Sequence, residues 1–136
     1  MNEYYKNKKD HTFVKKGWGY ELWMDNREQY CGKILGIDKD KKFSMHYHRL
    51  KTETFYVCCG EIELLYYQNI DIDKLVTDWE NIYNIEEINK INLVSGESFH
   101  IPIGMRHSVK AFMDSKIIET STQHFEEDSY RILKGD

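Results

Sequence analysis

Hydrophobic and polar residues alternate in short runs along most of this chain, with turn-forming residues between the runs at intervals of roughly 8–12 positions. The stretches YCGKILGID (30–38), FSMHYH (43–48) and SKIIETST (115–122) are rich in β-branched and aromatic residues and predict strands. ETFYVCCGEIELLYY (53–67) predicts one long strand, or two broken at Gly60. KDKK (39–42) reads as a turn and RLKT (49–52) as a bend, and GWGYELWMDN (17–26) ends in a turn at Asp25 and Asn26. Strand patterning returns over 86–112, with turns at VSGES and PIGM. Residues 68–90 differ: Leu75, Trp79 and Ile82 fall at helical spacing, with Asp71 or Asp73 as a cap, and predict a short helical insertion. Residues 1–12 are polar and lysine-rich and read as a loose arm or an edge strand, while EEDSYRILKGD reads as a polar tail. The pattern predicts one all-β domain over residues 1–136, a sandwich or a barrel, since closing or stacking sheets limits exposed edges.

Charge and composition narrow the function. A formal net charge of −4 argues against a general nucleic-acid surface. No apolar run of 18 residues exists, so no membrane span is expected. MNEYYKNKKDHTF lacks the apolar core of a secretory signal, which predicts a cytoplasmic protein. Three cysteines, Cys31, Cys58 and Cys59, do not read as a disulfide framework and are expected to pack as small buried hydrophobes.

Candidate chemistry gathers in SMHYHRLKTETFYVCCG (44–60). His46 and His48 are two apart, so on a strand both side chains take one face. Glu53 follows the four-residue bend on the next strand, within reach of one coordination sphere. In GESFHIPIGMRH (96–107), Pro102 and Gly104 make a turn and His107 opens the following strand. By strand parity, Phe55, Val57 and Cys59 share the face of Glu53, and Val109, Ala111 and Met113 that of His107. That predicts an apolar barrel floor with the ligands near one mouth. Histidines with one carboxylate and open positions suit Fe(II), Mn(II), Ni(II) or Zn(II). Fewer polar side chains are candidates for substrate contact. Lys33 and Arg106 would hold a phosphate or carboxylate, and Ser121 shares a strand face with Glu119. Glu119 or His124 would serve as acid or base. The other histidines, His11 and His100, read as core or surface residues.

Read in order, the two stretches spell H-x-H-x4-E-x6-G and G-x5-P-x-G-x2-H. In these motifs residues 17 to 125 resemble the cupin superfamily. The resemblance implies a cupin-type double-stranded β-helix, or jelly-roll barrel. It also implies one divalent metal held by His46, His48, Glu53 and His107. Two positions depart from the family pattern. Asp40 stands where the first motif opens with Gly, and Asp tolerates a left-handed turn better than most residues. Ala111 stands where the second motif often ends in Asn.

The flanks KKGWGYELWMDN, YCGKILGI and IIETSTQHFEEDSYRI carry a finer resemblance. They are similar to small cupins of the sugar- or sugar-phosphate-isomerase type, laid out like the cupin domain of type II mannose-6-phosphate isomerases. Gly17 stands where those have Pro, and an acidic stretch, Glu126 to Asp128, precedes Arg131. The resemblance implies a metal-dependent aldose–ketose isomerase or related carbohydrate enzyme. In it Glu53 ligates or acts as base, and Glu119 is the second candidate base. Two alternatives stand beside it: an Fe-dependent dioxygenase of a small molecule, and a non-enzymatic barrel that binds a sugar or small ligand. Family analogy also implies a homodimer paired through an added N-terminal strand, with apolar contacts from Tyr4, Tyr5, Phe13 and Trp18.

Overall fold

The computed structural model describes residues 2–67 and 88–136. Along the chain the strands are β1 (Thr12–Lys16), β2 (Gly19–Asn26), β3 (Cys31–Ile37), β4 (Met45–Tyr47), β5 (Glu53–Cys59), β6 (Glu61–Tyr67), β7 (Asn89–Val94), β8 (Ser98–Ile101), β9 (Arg106–Ala111), β10 (Ser115–Ser121) and β11 (Tyr130–Leu133). They form two antiparallel sheets, in the orders β1-β2-β3-β10-β5-β8 and β11-β4-β9-β6-β7. The pairing is nested: β3 with β10, β4 with β9, β5 with β8, and β6 with β7. The chain from β3 to β10 therefore folds back on itself like one long hairpin, with successive pairs placed in opposite sheets. That is the topology of a jelly roll.

Alternation decides which side chains fill the space between the sheets. On β5, Glu53, Phe55 and Val57 are buried while Tyr56 and Cys58 are exposed. On β9, His107, Val109 and Ala111 point the same way as Ile62 and Leu64 of β6. These residues join Leu35, Ile37, Phe43, Ile101 and Ile117 in the main core. Parity fails at the strand ends. Cys59 is exposed because β10 shifts register between Lys116 and Ile117, opposite the end of β5. Met113 is exposed because β9 stops at Ala111. Of the three cysteines only Cys31 is buried, against the expectation for Cys58 and Cys59.

The 53–67 stretch is two strands in different sheets, broken at Gly60. Gly60 has φ 97°, and a Cβ there would fall 2.7 Å from the Cα of Ser115. The segment read as a polar tail instead forms a 3-10 turn at Glu126–Asp128 and then β11, which pairs with β4. Leu133 explains the difference, being buried with Met45, Leu65 and Tyr67 in a second apolar cluster. The helical insertion expected over 68–90 lies outside the described residues, except that Asn89 and Lys90 open β7. At the N-terminal side, Phe13 is exposed and stacks on Tyr20 at 5.2 Å. Trp18, expected as an interface residue, is instead buried against Phe43, 5.7 Å away. Among the described residues no helix is long and apolar enough to cross a membrane.

Asp40 has φ 65°, the left-handed conformation its place in the motif requires. A β-branched residue there would be strained. Asp40→Val is expected to lower unfolding free energy by about 1–2 kcal/mol. Asp40→Gly should leave it unchanged or raise it; urea denaturation of the two variants compares them directly.

Candidate metal and substrate site

Strand pairing assembles the histidines. His46 on β4 stands directly across the ladder from His107 on β9, so the two rings share a face, with centroids 4.5 Å apart. His48 follows β4 by one residue and brings its ring to 5.0 Å from that of His46. One ring nitrogen from each of the three lies within 4.8 Å of the others, a spacing at which the group could hold a metal ion. Glu53 reaches the same point from the opposite sheet. Its Oε1 is 3.0 Å from His107 Nε2 and 3.6 Å from His48 Nε2.

The backbone sets the orientation of every imidazole. Nδ1 of His46 lies 2.9 Å from the carbonyl of Ser44, that of His48 2.8 Å from Asp128 O, and that of His107 2.9 Å from Met105 O. A carbonyl only accepts, so in each ring Nδ1 carries a proton and Nε2 is the nitrogen left to face the shared point. Metal-ligating histidines are held this way. His107 Nε2 and both oxygens of Glu53 are buried without a well-directed hydrogen bond, despite their short separations. Buried polar atoms left in that state are costly. A cation between the imidazoles and Glu53 would satisfy His107 Nε2 and the facing Oε1 of Glu53, so the residues present fit a metal.

Electrostatics keeps His46, His48 and Glu53 in forms that could bind a metal. The cavity leaves part of the His46 ring accessible, but the ring lies deep. Burial, then His107 and His48, hold its pKa well below the usual value. Burial takes His48 down to about 4, against the pull of Glu53. Both stay neutral at neutral pH. Burial pushes the Glu53 carboxyl up, but Lys51, then His107 and His48, more than offset this and hold it well below the carboxylate range.

Three of the four candidate ligands, His46, His48 and Glu53, line a cavity of about 220 Å³. Glu119, Lys33 and His124 also line it, as do Lys51, Glu21, Trp18 and Arg131. Lys51 was not anticipated, and it is central. Its ammonium lies 3.3 Å from Glu53 Oε2, 3.0 Å from Glu119 Oε2 and 3.2 Å from His124 Nδ1. Burial and then the charge of Glu53 raise the Glu119 pKa, against Lys51 and Lys33. Burial, then Lys33 and Lys51, bring His124 down to about 3. Lys33 is buried, 3.3 Å from Glu21 Oε1 and 4.3 Å from the ring centre of Trp23. Arg106 is not in the cavity. It alternates with His107 on β9, so it takes the outer face, where it packs over Tyr47 at 3.8 Å and donates to Gly104 O. Ser121 ends β10, lines a separate shallow depression with Thr54 and His100, and donates to Thr122 O.

Asp128 was also missed as a site residue. Its carboxylate accepts the backbone N–H groups of Arg49, Leu50 and Lys51, fixing the bend between His48 and Glu53. No local signal marks it, because its partners lie 77 to 79 residues away. Arg131 stands across the β11–β4 ladder from His46, which turns it toward the ligands.

No model of a protein family matches the sequence, and no curated protein matches it. Solved structures do. KdgF from Halomonas sp. is 15% identical, with 89% of this chain and 94% of that one covered and a TM-score of 0.67. An RmlC-like cupin from Shewanella frigidimarina is 17% identical, with 93% and 96% covered and a TM-score of 0.67. The capsular polysaccharide assembling protein CapF from Staphylococcus aureus is 16% identical at a TM-score of 0.70; 94% of this chain is covered, but only 36% of that one. At such identities the likeness shows the fold, which is the cupin jelly roll.

Two outcomes check the site. Asp128→Ala strands three backbone donors and should cost roughly 2–4 kcal/mol by denaturant titration, with Asp128→Asn costing less. In the unfolded chain histidines titrate near 6.5. Folded, His48 and His124 titrate at about 4 and about 3, so below 6.5 the unfolded chain takes protons that the folded one refuses. Thermal melts in chelator should therefore show stability falling as pH drops from about 6.5 towards 4. Glu119, shifted upward, works in the opposite direction, and Glu119→Gln should steepen the fall.

Proposed function

We propose that this cupin-fold chain is a metal-dependent enzyme acting on a small sugar or sugar phosphate, as an aldose–ketose isomerase. The observation that carries the metal is the set of three backbone-pinned imidazoles around Glu53 Oε1, which is buried without a well-directed hydrogen bond. His46, His48, His107 and Glu53 would hold a divalent Mn, Fe, Zn or Ni ion. When bound, such an ion polarises a carbonyl and a neighbouring hydroxyl.

The remaining steps fall to the chain's own side chains. The cavity wall alternates cations and carboxylates, Lys33 with Glu21 and Lys51 with Glu119, which suits a ligand dense in hydroxyl groups. Glu119 is the base. Its Oε2 is held by Lys51, which leaves Oε1 to take the proton from the hydroxyl-bearing carbon beside the carbonyl and deliver it to the former carbonyl carbon, while the hydroxyl proton passes to the former carbonyl oxygen. An upward-shifted carboxyl is suited to holding that proton between the two transfers. With Arg106 on the outer face, Arg131 and Lys33 are the cations placed to receive a phosphate. Trp18, Phe43 and Phe55 close the apolar side and exclude water. CapF, whose name ties it to capsular polysaccharide, supports a carbohydrate ligand.

Elemental analysis of protein purified without added metal should find near-stoichiometric divalent ion, lost in His46→Ala/His107→Ala. Tested against a panel of aldoses and their phosphates, the loaded protein should form ketose. Glu119→Gln should keep the metal and lose about a hundred- to ten-thousand-fold in kcat. Absence of any ketose overturns the isomerase; oxygen uptake by an iron-loaded form would replace it with a dioxygenase, and sugar binding without turnover with a binding barrel.

A further inference from the structure

The Lys51 ammonium, only 3% exposed, has three partners: it hydrogen-bonds two acceptors and lies in ion-pair contact, at 3.3 Å, with a third. Two of those acceptors are ordinary partners: Glu119 and a neutral His124. The third is Oε2 of the carboxylate whose other oxygen faces His107 and His48. Glu53 is thus held from two sides. Oε1 looks toward the imidazoles and Oε2 toward the lysine. We infer that Lys51 is a positioning residue that limits Glu53 to one metal-facing oxygen, keeping a coordination position free for substrate. The inference rests on the metal reading above.

The bend geometry shows that this seat is built. Lys51 N–H donates to Asp128 Oδ2 and the neighbouring Leu50 N–H to both oxygens of Asp128, so the lysine backbone cannot drift from Glu53. On the far side, Asn26 brackets His124 through two hydrogen bonds, to its N–H at 2.8 Å and its carbonyl at 3.0 Å, fixing the third acceptor. A lysine serving only to neutralise Glu119 would need no contact to Glu53. Placed here, its charge also opposes a metal cation across a single carboxylate. The protein therefore binds metal less tightly than its four donors allow, and in exchange retains an open position.

The consequence runs against the usual effect of removing a buried ion-pair partner. In Lys51→Met, Glu53 is released to offer both oxygens, and a repelling cation is gone. Affinity for Co(II), measured by chelator competition, should rise about tenfold or more, and the visible spectrum of the bound Co(II) should change as an oxygen is added. Glu119 is left without its partner in that variant, so the same comparison is made between Glu119→Gln and Lys51→Met/Glu119→Gln, where that strain is absent. The double variant should again bind Co(II) at least tenfold more tightly than Glu119→Gln. Unchanged or weaker binding in the double variant, with an unchanged spectrum, overturns the inference while leaving the metal site standing. Failure of the unmutated protein to bind Co(II) overturns both. Turnover decides neither, so absence of isomerase activity would not bear on the role of Lys51.

Discussion

One ammonium stands between two carboxylates inside the barrel, and much of the rest of the structure serves that arrangement. Glu53 and Glu119 are both almost fully buried, and Lys51 is within ion-pair distance of each. Charges removed from water are tolerable only where partners are close and well held. A lysine chain is flexible, so its backbone must be fixed. Asp128 fixes it, and Asp128 is delivered by the C-terminal segment, whose β11 pairs with β4. The carbonyl of the same Asp128 orients His48. Asp128, in the C-terminal segment, thus sets both a candidate ligand and the cation that neutralises another.

The two halves of the cavity divide the work. Toward His107 the surroundings are apolar and aromatic, with Phe43 and Phe55 edge-on to its ring at 6.4 Å and 5.9 Å. Burial in the same region keeps His46 and His48 neutral, the state in which imidazoles bind metal. Toward Lys33, Glu21 and His124 the wall is polar and its charges are paired. A small polar ligand can then lie with its reacting end at the histidines and its hydroxyl groups along the paired charges.

Local pattern revealed the frame of this site but not its wiring. His46, His48, Glu53 and His107 were legible because strand parity and motif spacing are properties of neighbouring residues. The turn at Asp40 was legible for the same reason, since a left-handed residue of that type needs no distant partner. Lys51 lay in a bend, where alternation gives no direction, and its role depends on Glu119, 68 residues away. Asp128 belonged to an acidic run that reads as solvated surface until its long-range partners are known. Arg106 was misplaced for a simpler reason: its own parity with His107 keeps it out of the cavity between the sheets, although it is buried on the outer face. Cys59 and Met113 followed parity beyond the points where a register shift and a strand end cancel it.

The ligand set also bears on stability. His46 and His107 belong to one sheet, and Glu53 to the other. These sheets otherwise meet through side-chain packing, while their backbone hydrogen bonds run within each sheet. An ion shared by β4, β9 and β5 would join the two layers at the end of the barrel where the packing is most polar. Any species that binds only the folded form stabilises it by about 2.7 kcal/mol at a hundred times its Kd. Restraining Glu53 to one oxygen gives up part of that gain. On that inference the geometry around Lys51 places openness of the site ahead of maximal cross-linking, and the two sheets are held chiefly by the apolar core between them, where Val57, Ile62, Leu64, Val109 and Ile117 are fully buried.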